Sequence, residues 1–232
     1  MSKTLAAAVA LASFAAIASA DTVNMSFDGT GHGDTARVTS PAGTVNVFAG
    51  QLKHSITGGT GVGAQFSGQY ITYCADLTQH VGSATNTFQV VGVNELRLGA
   101  PMGLAKAEAI NRLFTFAAGQ EVSPSATNSF AAAFQLAIWE IIYDYSNQNS
   151  LASLSVASGS FSATKTNGSP LSSSISSNLN AFFAAAANGP AGTQLLGLGS
   201  QSRQDQIIHL PAPGAAALAG MGMLLVGTRR RK

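Results

Sequence analysis

Charge is scarce in this chain: Asp, Glu, Lys and Arg make up 9% of its 232 residues, against roughly a quarter in an ordinary soluble domain. With 46% hydrophobic residues beside that deficit, a solvated, disordered chain is excluded. Five of the twelve basic residues, Lys3, Arg229, Arg230, Arg231 and Lys232, stand at the extreme ends, which leaves seven against ten acidic ones. No basic face remains for nucleic acid, which needs clustered Lys and Arg on a folded surface. Cysteine is nearly absent, and Cys74 alone cannot form an internal disulfide. Three of the four histidines, His32, His54 and His209, form no recognisable metal-ligand spacing, and neither metal nor cofactor is expected. No apolar run reaches the roughly 20 residues of a permanent membrane span.

The two ends read as addresses. Residues 1–20 place Lys3 before an apolar stretch from Leu5 to Ala18 and finish on Ala18-Ser19-Ala20, the pattern of a secretory signal with a small-residue cleavage site. Signal peptidase would leave a mature chain starting at Asp21. At the other end, residues 209–232 carry Pro211-Ala212-Pro213, an apolar stretch from Gly214 to Gly227, and Arg229, Arg230, Arg231 and Lys232. The stretch is short for an anchor, and the cationic cluster would remain cytoplasmic. A transient membrane stop is expected.

That tail resembles the PEP-CTERM sorting signal of Gram-negative bacteria, with Pro211, Pro213, Arg229, Arg230 and Arg231 as its elements and Ala212 where the signal usually has Glu. The resemblance implies an exosortase as processing partner and delivery to the outer cell surface or the exopolysaccharide matrix.

Between the addresses, residues 21–208 read as one domain. Thr44–Phe48, Gln69–Cys74 and Phe88–Val93 carry β-branched and aromatic residues between glycines, the mark of strands. Helices are expected from Leu104 to Ala118 with Gly119 as the stop, from Phe130 to Tyr145 with Ser129 as cap, and over Ile175–Ala186 before Asn188-Gly189-Pro190. Leu154–Ser162 reads as a hairpin, Thr193–Leu198 as a closing strand, and the glycine-rich Phe27–Asp34 as a flexible turn without an EF-hand pattern. The expected fold is α+β, mainly an antiparallel sheet or sandwich with about three helices packed on it.

A lone exported thiol has three fates: burial as an inert group, pairing with another molecule, or acylation. In the last, the sulfur attacks the Cδ of a glutamine, ammonia leaves, and an internal thioester remains. That chemistry needs Cys and Gln pressed together away from water. Cys74 lies in Tyr73-Cys74-Ala75-Asp76, and Gln135 in Phe134-Gln135-Leu136-Ala137-Ile138-Trp139. On a helix Gln135, Trp139 and Ile142 share one face, which holds an uncharged amide against the core.

These two segments resemble the thioester domains of bacterial surface adhesins, which have an aromatic residue before the Cys and a Gln in an apolar helical motif ending in Ile-Trp. The resemblance implies a Cys74–Gln135 thioester in a pocket shaped by Tyr73, Asp76, Phe134, Ile138 and Trp139. It also implies single-use covalent attachment to lysine amines of a surface protein or to polysaccharide hydroxyls, without turnover. The alternative is a structural or carbohydrate-binding matrix protein with an inert Cys74. On a regular strand Cys74, Asp76 and His80 would share a face, but catalytic Cys and His are normally joined by the fold and not by proximity in sequence, so no catalytic residue is assigned. Asp76 fits a backbone turn, and Glu140 is placed only as a shaper of the pocket.

Overall fold

The computed structural model describes residues 20–97 and 99–210. The expected leader therefore lies outside them except for Ala20, and so does the tail from Pro211 onward. Seven antiparallel strands and three helices form an α+β fold: β1 (Thr22–Ser40), β2 (Gly43–Thr60), β3 (Gly68–Cys74), β4 (Asn86–Val91), α1 (Leu104–Ala117), α2 (Asn128–Asp144), β5 (Ser162–Lys165), α3 (Ser173–Asn188), β6 (Leu195–Gly199) and β7 (Gln206–His209). The sheet order is β2-β3-β7-β6-β4-β1-β5, and a further pairing of β2 with β1 closes six of the strands on themselves. Of sheet and sandwich, the molecule adopts the single sheet.

β1 and β2 form one long hairpin that does two jobs. Its open end pairs with β4 and β3 to complete the closed sheet, and its tip extends beyond the closure to pair with β5 through Ala36–Thr39. Phe27–Asp34 is thus strand and not a flexible turn, with register shifts at Phe27/Gly29 and Thr30/Gly33. The glycines read as turn signals serve close backbone approach: a Cβ on Gly33 would fall 2.4 Å from the Ala49 carbonyl, and one on Gly50 would fall 2.3 Å from that of His32. Bulges of this kind bend a strand without ending it.

Strand alternation then sorts the core. Val23, Met25, Ile56, Phe66, Phe88, Leu198 and Ile208 fill the closed sheet, while the neighbouring Ile207 and Tyr73 join the larger core beneath the helices. Within that core α2 is buried over most of its circumference, as a helix enclosed by other elements must be. Phe134 packs edge-on against Tyr73 and Phe114 at ring separations of 4.8 and 4.9 Å and against Phe182 of α3 at 5.4 Å.

Helix ends follow side-chain capping. Thr127, two residues earlier than expected, accepts the Phe130 N–H at 3.1 Å and caps α2, so Ser129 is already helical. Ser172 caps α3 by accepting from Ile175, and α1 stops at the left-handed Ala118 and Gly119. The expected hairpin over Leu154–Ser162 does not form. Glu140 accepts the Ser155 N–H, and Asp144 accepts those of Ser160 and Phe161. These carboxylates suspend the segment from α2, and only Ser162–Lys165 reaches the sheet, against β1. The closing strand β6 appears close to its expected place, and β7 follows it unanticipated, with His209 inside the fold as its last residue.

Candidate functional site

Cys74 ends β3, where the ladder opposes it to Gln206 of β7 and Asp205 O accepts the N–H of Ala75 at 2.9 Å. Gln135 lies 61 residues later, in the second turn of α2, with Trp139 one turn further on. The fold brings the two together. The Cys74 N–H donates to Gln135 Oε1 at 2.8 Å, and Gln135 Nε2 donates to the Cys74 carbonyl at 2.8 Å. The side-chain amide thus binds the Cys74 peptide as another strand would. Both residues are buried, Gln135 at 1% and Cys74 at 2% exposure, and an amide so deeply placed needs such partners.

The Cys74 sulfur donates to Asp76 O at 2.8 Å and accepts from Asp76 N at 3.2 Å. Burial pushes the thiol well above its ordinary range, with the Asp76 and Asp205 carboxylates adding to the rise. The Trp139 indole N–H, directed toward the sulfur, opposes it, although the nitrogen does not reach hydrogen-bond geometry with any partner. The thiol is therefore neutral at physiological pH. On the other side of the pair, the Cys74 N–H polarises the Gln135 carbonyl and is placed to hold negative charge developing on its oxygen when a nucleophile adds to Cδ.

Cys74, Gln135 and Trp139 line a cavity of about 570 Å³ whose walls are Gly43–Phe48 of β2 and the loop Leu77–Val81. Of the other residues expected around the pair, none faces this cavity. Tyr73 and Phe134 turn toward the aromatic core, where the Tyr73 hydroxyl donates to Glu121 O at 2.7 Å. Ile138 is fully buried. Asp76 makes a tight turn, its Oδ1 accepting from the N–H and hydroxyl of Thr78 at 2.7 Å each. Glu140 is held by Ser155, and burial raises its carboxyl to about 8.

Because β3 ends at Cys74, residues 75–80 do not continue the strand, and the expected common face of Cys74, Asp76 and His80 does not exist. The turn at Asp76 nonetheless returns His80 to the cavity wall. The other histidines are engaged elsewhere: His32 with Asn128 and Pro124, His54 with Thr72, and His209 with Glu121. Among the described residues no cluster of His, Cys, Asp or Glu could hold a metal ion.

Sequence reasoning missed the β2 wall and Asp205. The β2 wall carries no chemical signature. Asp205 accepts the N–H groups of Arg97 and Ser200, a role visible only once β6 and β7 are paired. No family model, curated protein or solved structure matches the chain.

Proposed function

We propose that the chain is an exported cell-surface or exopolysaccharide-matrix protein of a Gram-negative bacterium whose domain forms an internal Cys74–Gln135 thioester for covalent attachment to a partner. The observation that carries this reading is the reciprocal hydrogen bonding of the Gln135 amide to the Cys74 peptide in a buried site open to a cavity. In the forming step the Cys74 sulfur bonds to Gln135 Cδ and the C–N bond breaks. The amide nitrogen departs as ammonia with the thiol proton. In the attachment step a partner amine or hydroxyl bonds to the same carbon, the C–S bond breaks, and the thiol is regenerated.

Each molecule reacts once, so the protein is a fastener and not an enzyme. Burial that disfavours the thiolate also makes it a poor leaving group, which protects the bond until a nucleophile occupies the cavity. The cross-link would close a loop of 61 residue steps, worth roughly 4 kcal/mol if the chain-entropy account of disulfides carries over. In this reading residues 1–20 direct export, and the Pro211–Lys232 tail holds the chain transiently in the inner membrane for an exosortase.

A second reading, an inert matrix protein, draws on the two hydrogen bonds between the sulfur and the Asp76 backbone. Methylamine, supplied at alkaline pH where a share of it is the uncharged amine, separates the two. The thioester adds one methylamine at Gln135 and exposes one alkylatable thiol, while Cys74→Ala adds none. Equal labelling of Gln135 in both proteins, or in neither, contradicts the proposal.

A further inference from the structure

The cavity over Cys74 and Gln135 is unusual in what its walls omit. Among the described residues that line it there is no Asp, Glu, Lys or Arg, and besides Cys74 the sole titratable side chain is His80. The nearest carboxylate in sequence, Asp76, is turned into its own loop by Thr78. The polar groups that remain are hydroxyls and amides, among them Thr30, Thr44, Asn46 and Gln204, interspersed with the aromatic side chains of Phe48 and Trp139. A lysine ammonium entering this space would lose water without gaining a counter-charge, a costly transfer. A sugar ring loses little, because its hydroxyls meet neutral donors and acceptors and its apolar face meets the aromatic rings.

We infer that the nucleophile this cavity admits is a hydroxyl of a neutral carbohydrate, with His80 as the acceptor of its proton. This rests on the thioester reading above. The sugar oxygen bonds to Gln135 Cδ, its proton passes to the His80 imidazole, and the C–S bond breaks. The proton then returns to the Cys74 thiolate, which leaves an ester on Gln135, a thiol on Cys74 and a neutral His80. An alcohol needs such an acceptor because it is a weak nucleophile while protonated. His80 is suited because it is exposed on a loop that lines the same cavity as the buried Gln135.

The test incubates the purified full-length protein with methyl glucoside or with Nα-acetyl-lysine at equal concentration, and reads adducts on Gln135 by mass. The sugar ester is expected to exceed the lysine amide. His80→Ala should lower the ratio of sugar ester to methylamine adduct on the order of a hundredfold, the usual contribution of a positioned base. Ala42→Asp places a carboxylate on the cavity wall at the hairpin turn, where aspartate is well tolerated, and should shift the preference toward lysine.

A lysine amide formed in preference to the ester, or an ester ratio indifferent to His80→Ala, overturns this inference alone. A protein that has lost no ammonia and takes up no methylamine overturns the thioester reading together with it.

Discussion

The two faces of β3 bury opposite things. Tyr73 points into a dry aromatic cluster with Phe114 and Phe134. Thr72 points the other way into a polar chain: His54 Nδ1 lies 3.0 Å from the Thr72 hydroxyl, which donates to Gln206 Oε1 at 2.8 Å, and Gln206 in turn donates to Gln204 on the cavity wall. The Thr72 proton is committed to Gln206, so His54 is the donor to Thr72. One face fixes where α2 sits by packing. The end of the strand uses that fixed position, where the Cys74 peptide holds the Gln135 amide by two hydrogen bonds, so the pairing depends on the packing and not the reverse.

The largest effect should come from the aromatic face. Phe134→Ala removes the ring that contacts Tyr73, Phe114, Phe130 and Phe182 and should cost about 3–5 kcal/mol of stability, read from denaturant unfolding. It should also reduce the fraction of molecules carrying the thioester, since α2 would no longer hold Gln135 in register. A stable variant with a full complement of thioester would show that the aromatic packing and the Cys74–Gln135 pair are independent.

A smaller loss belongs to the Cys74 end of the strand. Gln135→Ala leaves the Cys74 N–H and carbonyl without their side-chain partners and should cost about 1–3 kcal/mol for each buried group left unpaired, beyond what Cys74→Ala costs. Equal stability of the two variants would mean that water replaces the amide.

The mildest effect is a pH dependence. Burial lowers His54 from 6.5 to about 4, with the Asp28 carboxylate opposing the shift. Since the unfolded chain takes up this proton first, stability is complete above pH 6.5 and is lost as pH falls through 4. Glu140 acts with the opposite sign: its carboxyl is raised from 4.5 to about 8, so its contribution is complete below 4.5 and is lost as pH rises through 8. Melting temperatures of His54→Gln should therefore fall less steeply than those of the parent protein between pH 6.5 and 4. Parallel curves would place the acid sensitivity elsewhere.

The same contrast governs what was legible in the sequence. The helices were readable because Ile110, Leu113 and Phe114, or Leu179, Phe182 and Phe183, repeat at helical spacing and are buried in the fold. The pair Cys74 and Gln135 was readable because each stands in a short motif with a chemical logic. β1 was not, since its bulges place glycines inside a strand. The Leu154–Ser162 segment was misread because two carboxylates on α2, distant in sequence, claim its backbone. The cavity walls were invisible for a related reason: Gly43–Phe48 and Leu77–Val81 meet only after the hairpin tip extends past the closed sheet.

Peptide mapping of the protein purified from its native cell under mildly acidic, amine-free conditions tests the central claim most directly. The account predicts one cross-linked fragment joining the Cys74 and Gln135 peptides and lighter by one ammonia than their sum. Two separate peptides, one with Cys74 fully alkylated and one with an intact Gln135 amide, would contradict it.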